Sequence, residues 1–143
     1  MGLLDIASGN SFWRGYDYFR ASKVKMFSKI SKDKYSGIVS GSEDKSYKVY
    51  LDLEHPKKST CTCPHSDGTR RVCKHKVALY FAIFPEAADK ALKEAEEWEE
   101  QEKARIEEER KEIKKYVFSL SKQELREELL WRLIDEMDDN RYR

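Results

Sequence analysis

Three cysteines and two histidines crowd into one short stretch, and this cluster constrains the fold more than any other feature of the chain. The stretch CTCPHSDGTRRVCKH, residues 61–75, holds all three cysteines and two of the three histidines. Three thiols leave one unpaired in any disulfide scheme, so a disulfide framework does not explain the cluster. Thiolates and imidazole together suit a tetrahedral zinc site. The sequence therefore predicts that one metal ion joins the two ends of this stretch.

The predicted ligands follow the pattern C-x-C, nine residues, then C-x-H: Cys61, Cys63, Cys73 and His75. Pro64 and the polar residues after it favour a turn, and the second pair falls where a helix begins. Four protein ligands close the coordination shell, which predicts one structural Zn²⁺ ion rather than a catalytic one. Two alternatives stay open at this stage. His65 could replace His75, and the cysteines could be buried without a metal, whereas His55 is interpreted as a strand-end residue.

The pattern of apolar residues predicts an α+β protein with a small antiparallel sheet. A short helix is expected over residues 11–22 with Ser11 as its N-cap, and strands over 24–31, 35–40 and 47–53, the last from a clean period-two alternation. The turn-forming GSEDK segment predicts an antiparallel meander. A helix that begins near Lys74 would pack on the sheet and complete a zinc-stapled ββα finger.

The last third of the chain is predicted to be helical. Residues 86–116 lack Gly and Pro and are rich in Ala, Glu, Lys and Arg, which predicts one long helix. Ser121 and Glu124 form a capping-box signature before a final amphipathic helix over about residues 122–137. We therefore expect two domains, 1–85 with the sheet and finger and 86–143 with the charged C-terminal helical extension.

Charge is distributed unevenly between these two segments. Residues 1–85 carry 15 Lys and Arg against 8 Asp and Glu, whereas residues 86–143 carry 13 against 19. A basic segment can attract phosphate, and an acidic helix can attract a basic protein surface. The chain contains few Asn and Gln and many Lys and Glu, a compositional bias of hyperthermophile proteins. We therefore expect a thermophile source. No secretion signal or membrane span is found, which predicts a cytoplasmic protein.

The metal motif and its lead-in resemble the SWIM-type zinc finger family. The family pattern is C-x-C, a variable gap, then C-x-H, and SFWRGYDYFRASKV resembles the Arg-Gly-aromatic segment that often precedes it. The tail YVFSLSKQELREELLWRLI looks like the helical segment of small prokaryotic, particularly archaeal, stand-alone members. The resemblance implies Cys61, Cys63, Cys73 and His75 as ligands and a role in binding nucleic acid or protein, with no chemistry. The chain departs from many relatives in carrying no enzymatic domain beside the finger.

These features predict that the protein binds nucleic acid, either DNA or RNA. It would act alone or as part of a large ribonucleoprotein such as the ribosome. Cations surround the metal motif and the first helix, and those expected to contact phosphate are Lys57, Lys58, Arg70, Arg71, Lys74, Lys76, Arg14 and Arg20. The alternative is that these cations are ordinary surface and that the aromatic residues among residues 13–19 are mostly core.

A protein-interaction adaptor is the second function that the sequence supports. Trp98 stands alone among four glutamates of the long helix and would anchor a protein partner without nucleic-acid contact. No phosphate-binding loop and no hydrolytic or deaminase zinc motif is present, so the chain is not expected to be an enzyme or to bind a small-molecule substrate.

Overall fold

The computed structural model describes residues 2–143 and confirms the α+β class. The chain divides into two compact units, Met1–Lys93 and Glu94–Arg143. Over the residues described, no helix combines the length and the apolar character that crossing a membrane requires.

The first unit contains a four-stranded antiparallel sheet in the order β1-β2-β3-β4. The strands are β1 at Val24–Ser31, β2 at Lys34–Ser40, β3 at Ser46–Asp52 and β4 at Thr60–Cys61. The predicted meander is therefore confirmed. The turn between β2 and β3 has Glu43 and Asp44 at φ 55° and 58°, a pair of left-handed conformations that matches the right-handed twist of the flanking strands.

Two helices of this unit pack against each other, and the second of them also packs against the sheet. They are α1 at Gly9–Arg20 and α2 at Lys74–Ile83. The predicted N-cap of α1 is wrong: Ser8, not Ser11, caps the helix, and the Ser8 hydroxyl accepts a hydrogen bond from the Ser11 N–H at 3.2 Å. The helix begins earlier because this cap satisfies a first-turn donor despite Gly9 and Asn10, which are poor helix formers.

The core of the first unit lies between α2 and the sheet. Val39, Val49 and Leu51 from the strands meet Leu79 and Phe81 from α2, and all are buried. Two short 3₁₀ turns, Leu4–Ile6 and Pro56–Lys58, complete the unit. The three cysteines belong to this same buried cluster, so the metal motif is part of the core rather than an appendage.

Two further helices follow, as the sequence predicts. They are α3 at Pro85–Ser119 and α4 at Lys122–Arg141. The capping box at the start of α4 is confirmed, because the Ser121 hydroxyl accepts from the Glu124 N–H at 3.2 Å and the Glu124 carboxylate accepts from the Ser121 N–H at 3.3 Å. None of the described residues of Glu94–Arg143 is buried.

Candidate metal centre and cationic surface

The four predicted metal ligands lie on a short strand, a turn and the start of a helix. Pairing of β4 with β3 holds Cys61 opposite Val49. Two residues later the Cys63 carbonyl accepts hydrogen bonds from the N–H groups of Ser66 and Asp67 at 3.1 and 2.8 Å. This tight turn keeps the Cys63 thiol beside that of Cys61 and returns the chain toward α2.

The second pair of ligands is placed by the first turn of α2. Cys73 is the N-cap residue in an extended conformation, and His75 is the second helical residue. At a helix start the residues i and i+2 are not yet on opposite faces, because the first of them still has a non-helical backbone. A C-x-H pair can therefore reach one ion there.

The ligand atoms of Cys61, Cys63, Cys73 and His75 lie within 4.8 Å of one another, and all four residues are buried. In a tetrahedral site with Zn–S bonds of about 2.3 Å, neighbouring sulfur atoms are about 3.8 Å apart. The Nδ1 atom of His75 lies 3.8 Å from the Cys61 Sγ. Three thiolates and one imidazole at these distances fit a single structural zinc ion.

The comparison with protein families addresses the same segment. The family model of the SWIM zinc finger matches residues 47–84. Residues 47–84 form a SWIM zinc finger. The match runs from β3 through α2 and contains all four candidate ligands. Searches of curated proteins and of solved structures gave no significant match to the chain.

The other two histidines lie outside the ligand cluster of the SWIM finger. His65 is exposed in the turn after Cys63 and does not belong to the group that could hold a metal. His55 is exposed just after β3, where its backbone N–H donates a hydrogen bond to the Asp52 carboxylate at 2.9 Å. The structure therefore favours His75 over His65 as the nitrogen ligand.

Mutual contact and burial shift the pKa values of the three cysteines of the finger in different directions. The Cys61 thiol donates a hydrogen bond to the Cys73 sulfur, and this bond lowers the pKa of Cys73. The same hydrogen bond, together with burial, raises the pKa of Cys61. Burial raises the pKa of Cys63. A bound dication would stabilise all three as thiolates.

Lys76 has a different place from the one that the sequence predicts. It is fully buried, and its ammonium donates a hydrogen bond to the Arg71 carbonyl at 2.6 Å. The prediction that Lys76 contacts phosphate is therefore wrong. Burial lowers the pKa of Lys76, but the charges of Cys73, Cys61 and Cys63 oppose this effect. Lys76 is thus a buried cation beside the centre, and a centre of three thiolates and Zn²⁺ carries one negative charge that it can offset.

The remaining predicted phosphate contacts fall into separate groups on the first unit. Lys57, Lys58 and Arg70 line one cavity of about 360 Å³ together with Ile6, His55 and Pro56. Arg71 is exposed close by in sequence. Arg14 and Lys74 line a different cleft, and Arg20 is exposed on the last turn of α1, outside both groups.

Sequence reasoning missed the aromatic rings around His75. The rings of Tyr47 and Tyr18 lie with their centroids 4.7 and 5.5 Å from that of the imidazole. The alternation of β3 points Tyr47 inward, which was a usable signal, but nothing in the sequence brings Tyr18 of α1 to the same place. Of the other aromatic residues near it, Tyr16 and Phe19 pack on the core, and Trp13 is partly exposed.

Proposed function

We propose that the protein binds nucleic acid, DNA or RNA, through the cationic surface of its first unit, with zinc in a structural role. The observation that carries the proposal is the convergence of Lys57 and Lys58 with Arg70, twelve residues further along the chain, around one cavity beside the finger. Among the described residues that line this cavity there is no carboxylate. Phosphate contacts of this kind supply most of the affinity of non-specific nucleic-acid binding.

The charge of the first unit supports the same function. Residues 1–93 carry 17 Lys and Arg against 10 Asp and Glu. The zinc is assigned a structural role because four protein side chains are available to close its coordination shell, which leaves no position for water or substrate. We therefore propose a binding protein rather than an enzyme.

Charge reversal tests the cationic surface. The double variant Lys58→Glu/Arg70→Glu should weaken binding of the zinc-loaded chain to a 20-nucleotide probe, and the slope of log K against log salt should fall by roughly 0.7 to 0.9 for each phosphate that is no longer neutralised. Lys32→Glu/Lys45→Glu is the matched control, since it changes net charge equally at exposed positions outside the cavity. Equal affinities and slopes for the two double variants would exclude this surface.

A protein-interaction role for the second unit is the second candidate. Trp98 is 64% exposed, and α4 presents Leu129, Leu130, Trp131 and Leu133 with more than half of each exposed. Isolated large apolar side chains are common at surfaces, but a helical unit in which no described residue is buried leaves much apolar area without cover. A protein partner would cover it.

Substitution of Trp98 tests this adaptor role. Trp98→Ala should abolish capture of the partner by the full chain and leave the melting temperature unchanged, because an exposed Trp contributes to binding rather than to folding. Tyr142→Ala, which removes an exposed ring just after the end of α4, is the control and should retain capture. Unchanged capture by Trp98→Ala would exclude Trp98 as the anchor, and a lower melting temperature would assign it to packing.

A further inference from the structure

A cleft of about 300 Å³ lies beside the metal centre. Its walls come from the first half of α1, the turn between β2 and β3, and the segments that carry Cys63 and Cys73. The cleft extends well beyond the metal centre, because Cys63, Cys73 and His75 form only part of its lining. Cys61 is not part of its wall, and the space between four ligand atoms within 4.8 Å of one another is far smaller.

The cleft is suited to an anionic ligand. Arg14 and Lys74 are its charged side chains, and no carboxylate is present among the described residues that line it. Lys74 is held in place over the ring of Tyr18, with Nζ 4.6 Å from the ring centroid. The first turn of α2 opens at the same wall, and its N-cap residue Cys73 makes no side-chain capping bond. Cations beside the start of a helix favour phosphate.

His75 belongs both to the candidate metal ligands and to the lining of the cleft. The ring is 4% exposed, and its Nδ1 faces the Cys61 sulfur. The other nitrogen, Nε2, is buried and has no hydrogen-bond partner within residues 2–143. A metal-ligating histidine normally donates its second N–H to a carboxylate, a carbonyl or a water, and a buried donor left unpaired is costly. His75 lines the cleft, so a ligand bound there would lie beside its ring.

The size and lining of the cleft favour a ligand larger than phosphate alone. Its volume is at the lower end of the range for small-molecule sites, and the rings of Tyr18 and Tyr47 line it beside the hydroxyl of Ser42. A nucleotide combines a phosphate with a flat apolar base that carries hydrogen-bonding edges. In a duplex the bases are stacked and paired, so only an unpaired nucleotide can place its base in a cleft.

We propose that this cleft binds a nucleotide, with its phosphate on Arg14 and Lys74 and its base or sugar against the tyrosine-lined wall. The inference rests on the proposed function for the source of the nucleotide, an unpaired position of a nucleic acid. A free mononucleotide would present the same groups. The cleft thereby gives the protein a preference for single strands, which the cationic cavity at Lys58 and Arg70 does not provide.

The test compares single and double strands on the zinc-loaded full chain. A labelled 12-nucleotide single strand, as RNA and as DNA, should bind about tenfold more tightly than the matching duplex, and Arg14→Gln should remove most of that difference by deleting one charge-assisted contact. Arg20→Gln is the matched control, since Arg20 lies on the same helix and does not line the cleft. Equal binding of single strand and duplex, unaffected by Arg14→Gln, would overturn the inference while nucleic-acid binding stands.

Titration with adenosine 5′-monophosphate and with adenosine separates the two sources of the nucleotide. The monophosphate should shift the Ser42, Lys74 and His75 resonances, and adenosine should bind with about tenfold lower affinity because it lacks the phosphate. This result supports the cleft even if no polymer binds. In that case the proposed function fails and the ligand is a free nucleotide. If neither the monophosphate nor a single strand perturbs these resonances, the cleft is not a nucleotide site.

Discussion

Lys76 illustrates how much the environment of a single residue changes its role. In the sequence it is one of several cations next to a metal motif, whereas in the structure it is buried with its ammonium on the Arg71 carbonyl. Burial lowers the pKa of Lys76, and the charges of the three cysteines oppose that effect. A buried cation is tolerated only where paired charge or hydrogen bonds compensate for the hydration it gives up. The thiolates of the zinc centre provide that compensation.

We expect Lys76→Met to weaken zinc binding. Methionine keeps the volume of the side chain but removes the charge that offsets the negative centre. We expect a loss of about tenfold in zinc affinity, the lower end of the range for groups that bond the metal ligands directly. Competition with a chromophoric chelator measures the change. Lys32→Met, at an exposed lysine in the turn between β1 and β2, serves as the control, and equal affinities for the two variants would show that Lys76 has no electrostatic part in the site.

Among the secondary-structure elements, the contact between α1 and α2 depends on one glycine. A methyl group on Gly15 would overlap the side chain of Val77 and would come within 2.8 Å of the Lys74 carbonyl. Gly15 therefore allows the two helices to approach more closely than any other residue would. This gives a physical reason for the glycine of the Arg-Gly-aromatic segment: close approach sets the position of α2, and α2 carries two of the metal ligands.

Gly15→Ala should lower the free energy of unfolding by about 1–3 kcal/mol, the usual cost of forcing an extra group into a packed contact. Gly9→Ala is the matched control on the same helix, because no described atom outside the adjoining backbone of α1 lies within 4 Å of the added methyl group. Alanine there should be neutral or stabilising. Urea denaturation of the zinc-loaded variants measures both. A Gly15→Ala variant as stable as Gly9→Ala would show that the helices separate without cost.

Local patterns predict most elements, but not the packing between them. The alternation of Tyr47, Val49 and Leu51, the lack of Gly and Pro in α3, and the pair Ser121 and Glu124 each depend on neighbours close in sequence. The predicted start of α1 is too late because Gly9 and Asn10 are typical of turns, and only the Ser8 cap reveals the helix. The ligand set follows from residue type and spacing. The burial of Lys76 and the cleft beside His75 arise from distant segments, which no local pattern encodes.

At the scale of the whole molecule, the two units differ in charge and in how they are stabilised. Residues 1–93 contain the sheet, the core and the finger, with the cysteines among the buried apolar residues. Residues 94–143 carry 11 Lys and Arg against 17 Asp and Glu. This unit has ion pairs such as Arg105 with Glu109 at 2.9 Å and the capping box of α4, but no buried residue among those described. Zinc should therefore matter far more to the first unit than to the second.

Removal of zinc should unfold the first unit selectively. Chelation is expected to abolish the near-ultraviolet circular dichroism of the buried aromatic residues, because the free energy of metal binding is also folding free energy in small zinc domains. The far-ultraviolet helical signal of α3 and α4 should largely persist, and added zinc should restore the near-ultraviolet spectrum. Chelator already saturated with zinc is the control. An unchanged near-ultraviolet spectrum after complete metal removal would contradict a role for the ion in folding.

The loop between Cys63 and Cys73 has a consequence for how such proteins can diversify. Its ends are fixed by the metal ligands, and its interior is closed by its own bonds, from the Ser66 hydroxyl to the Arg71 carbonyl and from the Thr69 N–H to the Ser66 carbonyl. Gly68, at φ 69°, lies at the exposed tip, with open space around it. Doubling the length of a loop adds only about 0.6 kcal/mol of closure entropy. Evolution or a protein engineer could therefore insert peptides at Gly68. The insertion would change which molecules the finger contacts, while the metal ligands hold the two ends of the loop in place.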